Sequence, residues 1–221
     1  MIAKDLITND LPILVLRDRV YNALNMMDAF GVSHLPIVQH GKYIGLVSEN
    51  QLFQVCDPSL EVSSCRFSQE GSSVFDDQHL LDVTSLVAKS DLTLIPVLKR
   101  DNTYIGSIVA FGLIIHINNL LGVEYPGTIV VLELNTIDYS LSQISQIVEY
   151  NNSRILSLYT RCYIDSRKMS LTLKIESDNI NSILESFERY DYKIKSIFSS
   201  DDNNRDIYAD RYDNLMNYLN I

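Results

Sequence analysis

Four histidines, three cysteines and a few adjacent carboxylates are the side chains of this chain best equipped for chemistry. A metal site needs His, Cys, Asp or Glu at short, defined spacings. His34, His40, His79 and His116 are scattered, and Cys56, Cys65 and Cys162 form no C-x-x-C pair. An odd number of widely spaced cysteines reads as free thiols in a reducing compartment, structural or inert. General acid–base work needs two carboxylates held at one site. Asp76-Asp77 and Asp201-Asp202 fall in polar, loop-like stretches and read as solvated. The strings that mark a nucleophile elbow, a P-loop or a zinc-protease helix do not occur. The sequence predicts no enzyme, since a fold licenses no chemistry without a site.

Composition excludes other classes. At 221 residues, 46% hydrophobic and 21% charged, the chain can bury a real core and is long enough for two or three domains. A net charge of -10 and the lack of any Lys/Arg run argue against nucleic acid. Lys4 and Asp5 stand where an apolar secretory segment would have to begin, so a cytoplasmic protein is expected. Tyr104 to Val123 carries no Asp, Glu, Lys or Arg, and about 20 apolar residues can span a bilayer. Gly106, Ser107, Gly112, His116, Asn118, Asn119 and Gly122 interrupt it. It reads as a buried strand followed by a helix, with no membrane span.

The elements that must position any site come in duplicate. An offset of 60 pairs Val20 with Leu80, Ala23 with Val83, Met27 with Val87 and Leu35 with Ile95; an offset of 61 then pairs Tyr43 with Tyr104, Gly45 with Gly106 and Leu52 with Leu113. Such a period marks a duplicated supersecondary unit. In the first copy, Leu11 to Leu16 is extended. A helix then runs from Asp18, its expected N-cap, to Phe30, with Val20, Ala23, Leu24 and Met27 as the apolar stripe and Gly31 ending it. Strands Leu35–Gln39 and Tyr43–Ser48 are joined through His40-Gly41-Lys42, and a second helix starts near Glu49. The second copy is expected as an extended stretch near Val62–Phe67, a helix at Gln78–Lys89, strands at Thr93–Leu98 and Thr103–Val109, and a helix at Phe111–Leu121.

Tyr125-Pro126-Gly127 marks a boundary. Beyond it the sequence predicts strand Thr128–Leu134, a helix Leu141–Tyr150 opened by a Ser140-x-x-Gln143 capping box, strands Arg154–Ile164 and Met169–Glu176, helix Asn179–Tyr190 and strand Lys193–Phe198. This β-α-β-β-α-β order is ferredoxin-like. Asp201-Asp202-Asn203-Asn204 then reads as a solvated spacer before Tyr208, Tyr212, Leu215, Met216 and Leu219, spaced for one helix face.

Lys4-Asp5-Leu6-Ile7-Thr8, Val32-Ser33-His34-Leu35-Pro36-Ile37-Val38 and Gly45-Leu46-Val47-Ser48-Glu49-Asn50-Gln51-Leu52 resemble the signature of tandem cystathionine β-synthase (CBS) domains. Residues 127–199 resemble an ACT domain, and the combination is similar to regulators of the acetoin-utilisation accessory type. The resemblance implies an α+β protein. Its domains would be CBS repeats at 1–58 and 59–124, forming one module, an ACT-like domain at 125–200 and a helical C-terminal tail at 201–221. It also implies a homodimer, and clefts that take AMP, ADP, ATP or another adenosyl ligand.

The family pattern is Gly-h-h-Thr/Ser-x-x-Asp, with h apolar; the hydroxyl and helix start hold phosphate and the Asp holds the ribose diol. Here Ser48 keeps the hydroxyl and Gln51 replaces the Asp, while the second copy has Val109 and Gly112. Two residues before the proline, where some relatives carry a basic residue, stand His34 and Leu94. The resemblance thus places a ligand at His34, Leu35, Pro36, Ser48 and Gln51, with Leu11 and Pro12 of the extended opening. Ser48 also reads as a plain N-cap, and His34 as an imidazole with no ligand. Asp138-Tyr139-Ser140-Leu141 lacks the proline and glycine of amino-acid-binding relatives, which favours packing or dimerisation there. The reading is a non-catalytic nucleotide sensor working through the first repeat; the alternative is a dimeric scaffold with degenerate clefts.

Overall fold

The structure is a computed structural model that describes residues 1–55, 57–68, 72–163 and 166–199. Cys56 and the Tyr208–Leu219 stripe lie outside the described residues. The chain divides into two compact units, Met1–Ile117 and Asn118–Ile221.

The first unit holds both repeats around one core. Helix α1 (Val20–Phe30) buries Val20, Ala23 and Met27 and ends at Gly31, whose φ of 63° is left-handed. Asp18 is not its N-cap. Arg19 occupies that position without a side-chain cap, and the Asp18 carboxylate instead accepts the Val15 N–H at 2.7 Å. The Val20 and Tyr21 N–H groups donate to the carbonyls of Leu60 and Pro58, each at 3.0 Å. A backbone cap from a distant turn thus satisfies the donors that a side chain was expected to satisfy. Strands β1 (His34–Gln39) and β2 (Lys42–Ser48) form an antiparallel hairpin, turned by His40 and Gly41 at φ 50° and 76°. Positive φ at both positions matches the right-handed twist of the strands. Leu14, from the extended opening, pairs in parallel with Ile37. The short helix α2 (Glu49–Phe53) follows β2 directly.

The second repeat copies this order with β3 (Val74–Phe75), α3 (Leu80–Ser90), β4 (Leu94–Leu98), β5 (Tyr104–Val109) and α4 (Leu113–Leu120). Its extended opening is β3, parallel to β4, and not Val62–Phe67, where Val62–Ser64 make a 3-10 turn. Helix α4 is preceded by a 3-10 turn at Ala110–Gly112, so it starts later than the apolar pattern suggests.

Phe67 and Ser68 have another task. Each repeat's leading segment crosses to the hairpin of the other repeat. Thr8 bridges Ser107 of β5, and Ser68 bridges Leu46 of β2. This crossing explains the repeated Tyr-Ile-Gly. A Cβ on Gly45 would stand 2.5 Å from the Phe67 ring and 2.8 Å from the Ser68 carbonyl; on Gly106 it would stand 2.5 Å from Ile7 Cγ2. Only glycine lets the crossing strands approach so closely.

The second unit has the expected β-α-β-β-α-β order: β6 (Thr128–Asn135), α5 (Leu141–Tyr150), β7 (Arg154–Cys162), β8 (Lys168–Glu176), α6 (Ile180–Arg189) and β9 (Lys193–Phe198). The sheet runs β7-β8-β6-β9, all antiparallel, which is the ferredoxin-like order. Val130 and Leu132 of β6 and Leu171 and Leu173 of β8 share a core with Ile144 and Val148 of α5 and Ile183 and Phe187 of α6. Both helices therefore cover one face of the sheet. The Ser140 capping box is half formed. Ser140 Oγ accepts the Gln143 N–H, but Gln143 Oε1 accepts from the Tyr192 hydroxyl at 2.8 Å rather than from the Ser140 backbone.

Candidate functional site

His34 at the start of β1, and Ser48 and Gln51 around the β2–α2 junction, line one cleft of about 260 Å³. Strand alternation explains the selection. His34 is half-buried at the cleft, while Leu35 beside it is fully buried in the core. Pro36 is buried and gives its carbonyl to the Leu14 N–H. Leu35, Pro36, Leu11 and Pro12 are not among the lining residues. For Leu11 and Pro12 the crossing is the reason, because the segment that leads into them lies on the second repeat.

Ser48 and Gln51 form a reciprocal capping box. Ser48 Oγ accepts the Gln51 N–H at 3.3 Å, and Gln51 Oε1 accepts the Ser48 N–H at 2.8 Å. The Glu49 N–H donates to the Ser33 carbonyl at 2.9 Å. Two of the first three N–H groups of α2 are thus occupied, and a five-residue helix has a small dipole. The backbone grip on phosphate that the family pattern implies is weak here. Side-chain capacity remains. A hydroxyl that accepts one bond still has its own proton to donate, so Ser48 can cap the helix and bind a ligand together. The Gln51 amide nitrogen is likewise not consumed by the cap.

His34 is tied to the second repeat. Its Nδ1 lies 3.0 Å from Thr93 Oγ1 and accepts the Thr93 N–H at 3.4 Å, while Thr93 Oγ1 accepts the Ser33 N–H at 2.9 Å. Nδ1 is therefore an acceptor, which leaves the proton of the neutral ring on Nε2. Burial lowers the His34 pKa, and the nearby Asp91 carboxylate opposes that shift. The ring enters the cleft as a neutral donor, not as a cation.

Sequence reasoning missed the rest of the wall: Ser68, Ser72, Ser90 and Leu92, all from the second repeat, with Leu46 of β2. Ser72 is buried and shares a 2.9 Å hydrogen bond with the Tyr43 hydroxyl. The 60-residue offset was the available signal, since Ser68 stands where Thr8 does, and Thr8 Oγ1 meets the Val109 N–H at 3.5 Å. No lysine, arginine or carboxylate stands among the described lining residues. The chemistry offered is four hydroxyls, an amide and an imidazole N–H, a set suited to sugar hydroxyls and ring nitrogens more than to concentrated negative charge. Among the described residues no His/Cys/Asp/Glu cluster could hold a metal, and no helix is long and apolar enough to cross a membrane.

Residues 3–57 match the family model described as CBS domain. That match falls within the first repeat, and the second repeat copies its order of elements. The chain is also similar to solved structures. A CBS domain pair/ACT domain protein from Thermotoga maritima is 17% identical with a TM-score of 0.50, covering 55% of this chain and 99% of that one. A putative acetoin utilization protein from Vibrio cholerae is 20% identical with a TM-score of 0.48, covering 56% of this chain and 95% of that one. The Arabidopsis thaliana CBS-pair protein CBSX2, in a complex with AMP, is 18% identical with a TM-score of 0.47, covering 56% and 98%. At these identities the likeness concerns the fold.

Proposed function

We propose that the chain is a non-catalytic regulatory protein that senses an adenine-type nucleotide through the cleft of its first CBS repeat. The observation that carries this is the convergence of His34, Ser48 and Gln51, three separate sequence positions, on one polar cleft. The cleft also selects within the class. Ligand pockets commonly measure about 300–1,000 Å³, and this one, at about 260 Å³ with no cation in its described wall, suits a nucleoside or monophosphate better than a triphosphate or dinucleotide. The ribose hydroxyls would meet Gln51 and the serines, and the His34 Nε2–H would donate to an acceptor on the ligand.

Thermal melting with AMP, ADP, ATP, NAD and S-adenosylmethionine tests this, with native mass spectrometry of the purified protein as a companion. At 100-fold excess over its dissociation constant a ligand stabilises the folded state by about 2.7 kcal/mol. Each kcal/mol raises the melting temperature of a chain this size by about 2–4 °C. AMP should shift melting by roughly 5–10 °C, and more than ATP does. No shift with any of the five ligands, together with no co-purified nucleotide, refutes the sensor and favours the scaffold reading.

A further inference from the structure

Large apolar side chains stand in water along the helices of the first unit. Tyr21 on α1, Phe53 on α2, Leu81 on α3, Ile114 and Ile115 on α4, and Phe111 in the turn that leads into α4 are each 57–76% exposed. Their places are matched by the duplication: the offset of 60 pairs Tyr21 with Leu81, and the offset of 61 pairs Phe53 with Ile114. Buried apolar positions match because each repeat packs the same core. Packing within the chain gives no such reason for matched positions that face water. A lone exposed apolar residue needs no explanation, whereas a grouped set marks an interaction surface. In the first repeat the helices that carry Tyr21 and Phe53 pack against each other. Charge is sparse on the same helices. Ala110–Leu120 holds no Asp, Glu, Lys or Arg, in a chain that is 21% charged. The charged residues of α1, α2 and α3 are Asp28, Glu49, Asp82 and Lys89. Asp28 and Lys89 lie in last turns, away from Tyr21 and Leu81 in first turns, and Asp82 is engaged by the His79 N–H at 3.1 Å. The charge-free run Tyr104–Val123 thus gains a second reason. Its strand and Leu113 serve the core, while Phe111, Ile114 and Ile115 face outward.

We infer that this helical surface of the first unit is the contact between two copies of the chain, related by a two-fold axis. Aromatic enrichment with depletion of charge is what sets the centre of a protein interface apart from other surface. Net charge points to a second copy meeting here. At -10, two copies that approach through most of their surface bring like charges together, and these helices bring few. Area suffices as well. The named side chains leave on the order of 800 Å² in water, which is about what one partner contributes to an interface of standard size. A two-fold axis presents the same patch from both partners, and a patch built from matched positions suits that arrangement. The contact concerns the helices of the first unit alone and holds whatever the cleft binds.

Sedimentation velocity on the full chain tests this, with far-UV circular dichroism as the check on folding. The unmodified chain should sediment as a dimer at micromolar concentration. Phe111→Glu/Ile115→Glu alters only exposed side chains and should weaken the dimer roughly a hundredfold, because charges replace apolar contacts at the centre of the interface. Tyr21→Ser/Leu81→Ser removes apolar surface at matched positions without adding charge and should weaken it in the same direction. Should one pair unfold, the other decides. Tyr159→Glu, on β7 at an edge of the second unit's sheet among the described residues, should leave the dimer intact. Three results overturn the inference: a dimer that both folded pairs leave unchanged, a dimer lost with Tyr159→Glu and kept by both pairs, which would assign the contact to the sheet edge, or a monomer. A monomer that co-sediments with phosphatidylcholine vesicles would assign the surface to a membrane instead.

Discussion

Gln51→Asp separates the capping role of this side chain from its proposed contact with a ligand. Gln51 Oε1 accepts the Ser48 N–H at 2.8 Å. An aspartate can keep such a bond at the same helical position. Asp82 does so at the start of α3, accepting the His79 N–H at 3.1 Å. A carboxylate in a first helical turn adds about 0.3–1 kcal/mol, so the unliganded protein should melt within a few degrees of the wild type. With ligand bound, a hydrogen bond from a ribose hydroxyl to a neutral amide contributes about 0.5–1.5 kcal/mol, against about 1.5–3 kcal/mol to a carboxylate. The difference of about 1 kcal/mol corresponds to roughly fivefold tighter binding. For a ligand with a dissociation constant of about 10 μM, present at about 1 mM, stabilisation rises from about 2.7 to about 3.7 kcal/mol. Melting should therefore move a further 2–4 °C or so beyond the wild-type shift. Calorimetric titration with AMP gives the constant directly, and melting with and without AMP gives the linked shift. An unchanged or weaker constant for Gln51→Asp refutes the assignment of this side chain to the ribose, whatever happens to stability.

Three other outcomes follow from the geometry. Gly45→Ala places a Cβ 2.5 Å from the Phe67 ring and 2.8 Å from the Ser68 carbonyl; such overpacking costs about 1–3 kcal/mol, and urea unfolding should show a lower midpoint, an unchanged midpoint ruling out the tight crossing. Because burial lowers the His34 pKa, the unfolded chain binds more protons, so stability should fall as the pH drops through the ordinary histidine value of about 6.5 and level off below the folded value; His34→Asn should lose that acid slope in melts taken from pH 8 to pH 5, and an unaltered slope assigns it elsewhere. Among the described residues β7 and β9 are the edges of the second unit's sheet, and edge strands invite pairing with another chain; a symmetric homodimer is expected, so a monomer in sedimentation velocity at micromolar concentration refutes that assembly.

The two repeats were legible because their apolar positions recur at one offset and because His40-Gly41 is local turn chemistry. Helix and strand order in the second unit was legible for the same reason, since periodicity and punctuation are carried within each segment. What stayed hidden was tertiary. The crossing of Ile7-Thr8 and Phe67-Ser68 depends on two segments 60 residues apart, and no local pattern announces it. It displaced the expected opening of the second repeat, explained both glycines and moved Leu11 and Pro12 off the cleft. Asp18 misled for a related reason. Its type suits an N-cap, but the Pro58–Leu60 turn supplies carbonyls at that place. The cleft was half legible: His34, Ser48 and Gln51 lie in the family pattern, whereas Ser68, Ser72, Ser90 and Leu92 reach it only through the fold.

That division of the wall bears on how the proposed site would regulate. His34, Leu46, Ser48 and Gln51 come from the first repeat, and Ser68, Ser72, Ser90 and Leu92 from the second. A ligand that contacts both sets binds best to one relative placement of the two repeats. By linkage its binding energy must then favour that placement over others. The Ser33–Thr93–His34 hydrogen bonds tie the same two strands directly behind the cleft, at equivalent positions of the duplication. A ligand in this cleft and these hydrogen bonds would therefore act on the same joint. His34→Leu, which copies Leu94 of the second repeat, removes the two His34–Thr93 hydrogen bonds of the joint and one cleft donor, and leaves the Ser33–Thr93 bond. It should weaken AMP binding by more than Ser48→Ala, which removes a cleft hydroxyl and a cap but leaves the joint intact. Equal losses in the two variants would mean that the joint carries no coupling, and that the first cleft binds its ligand without informing the second repeat.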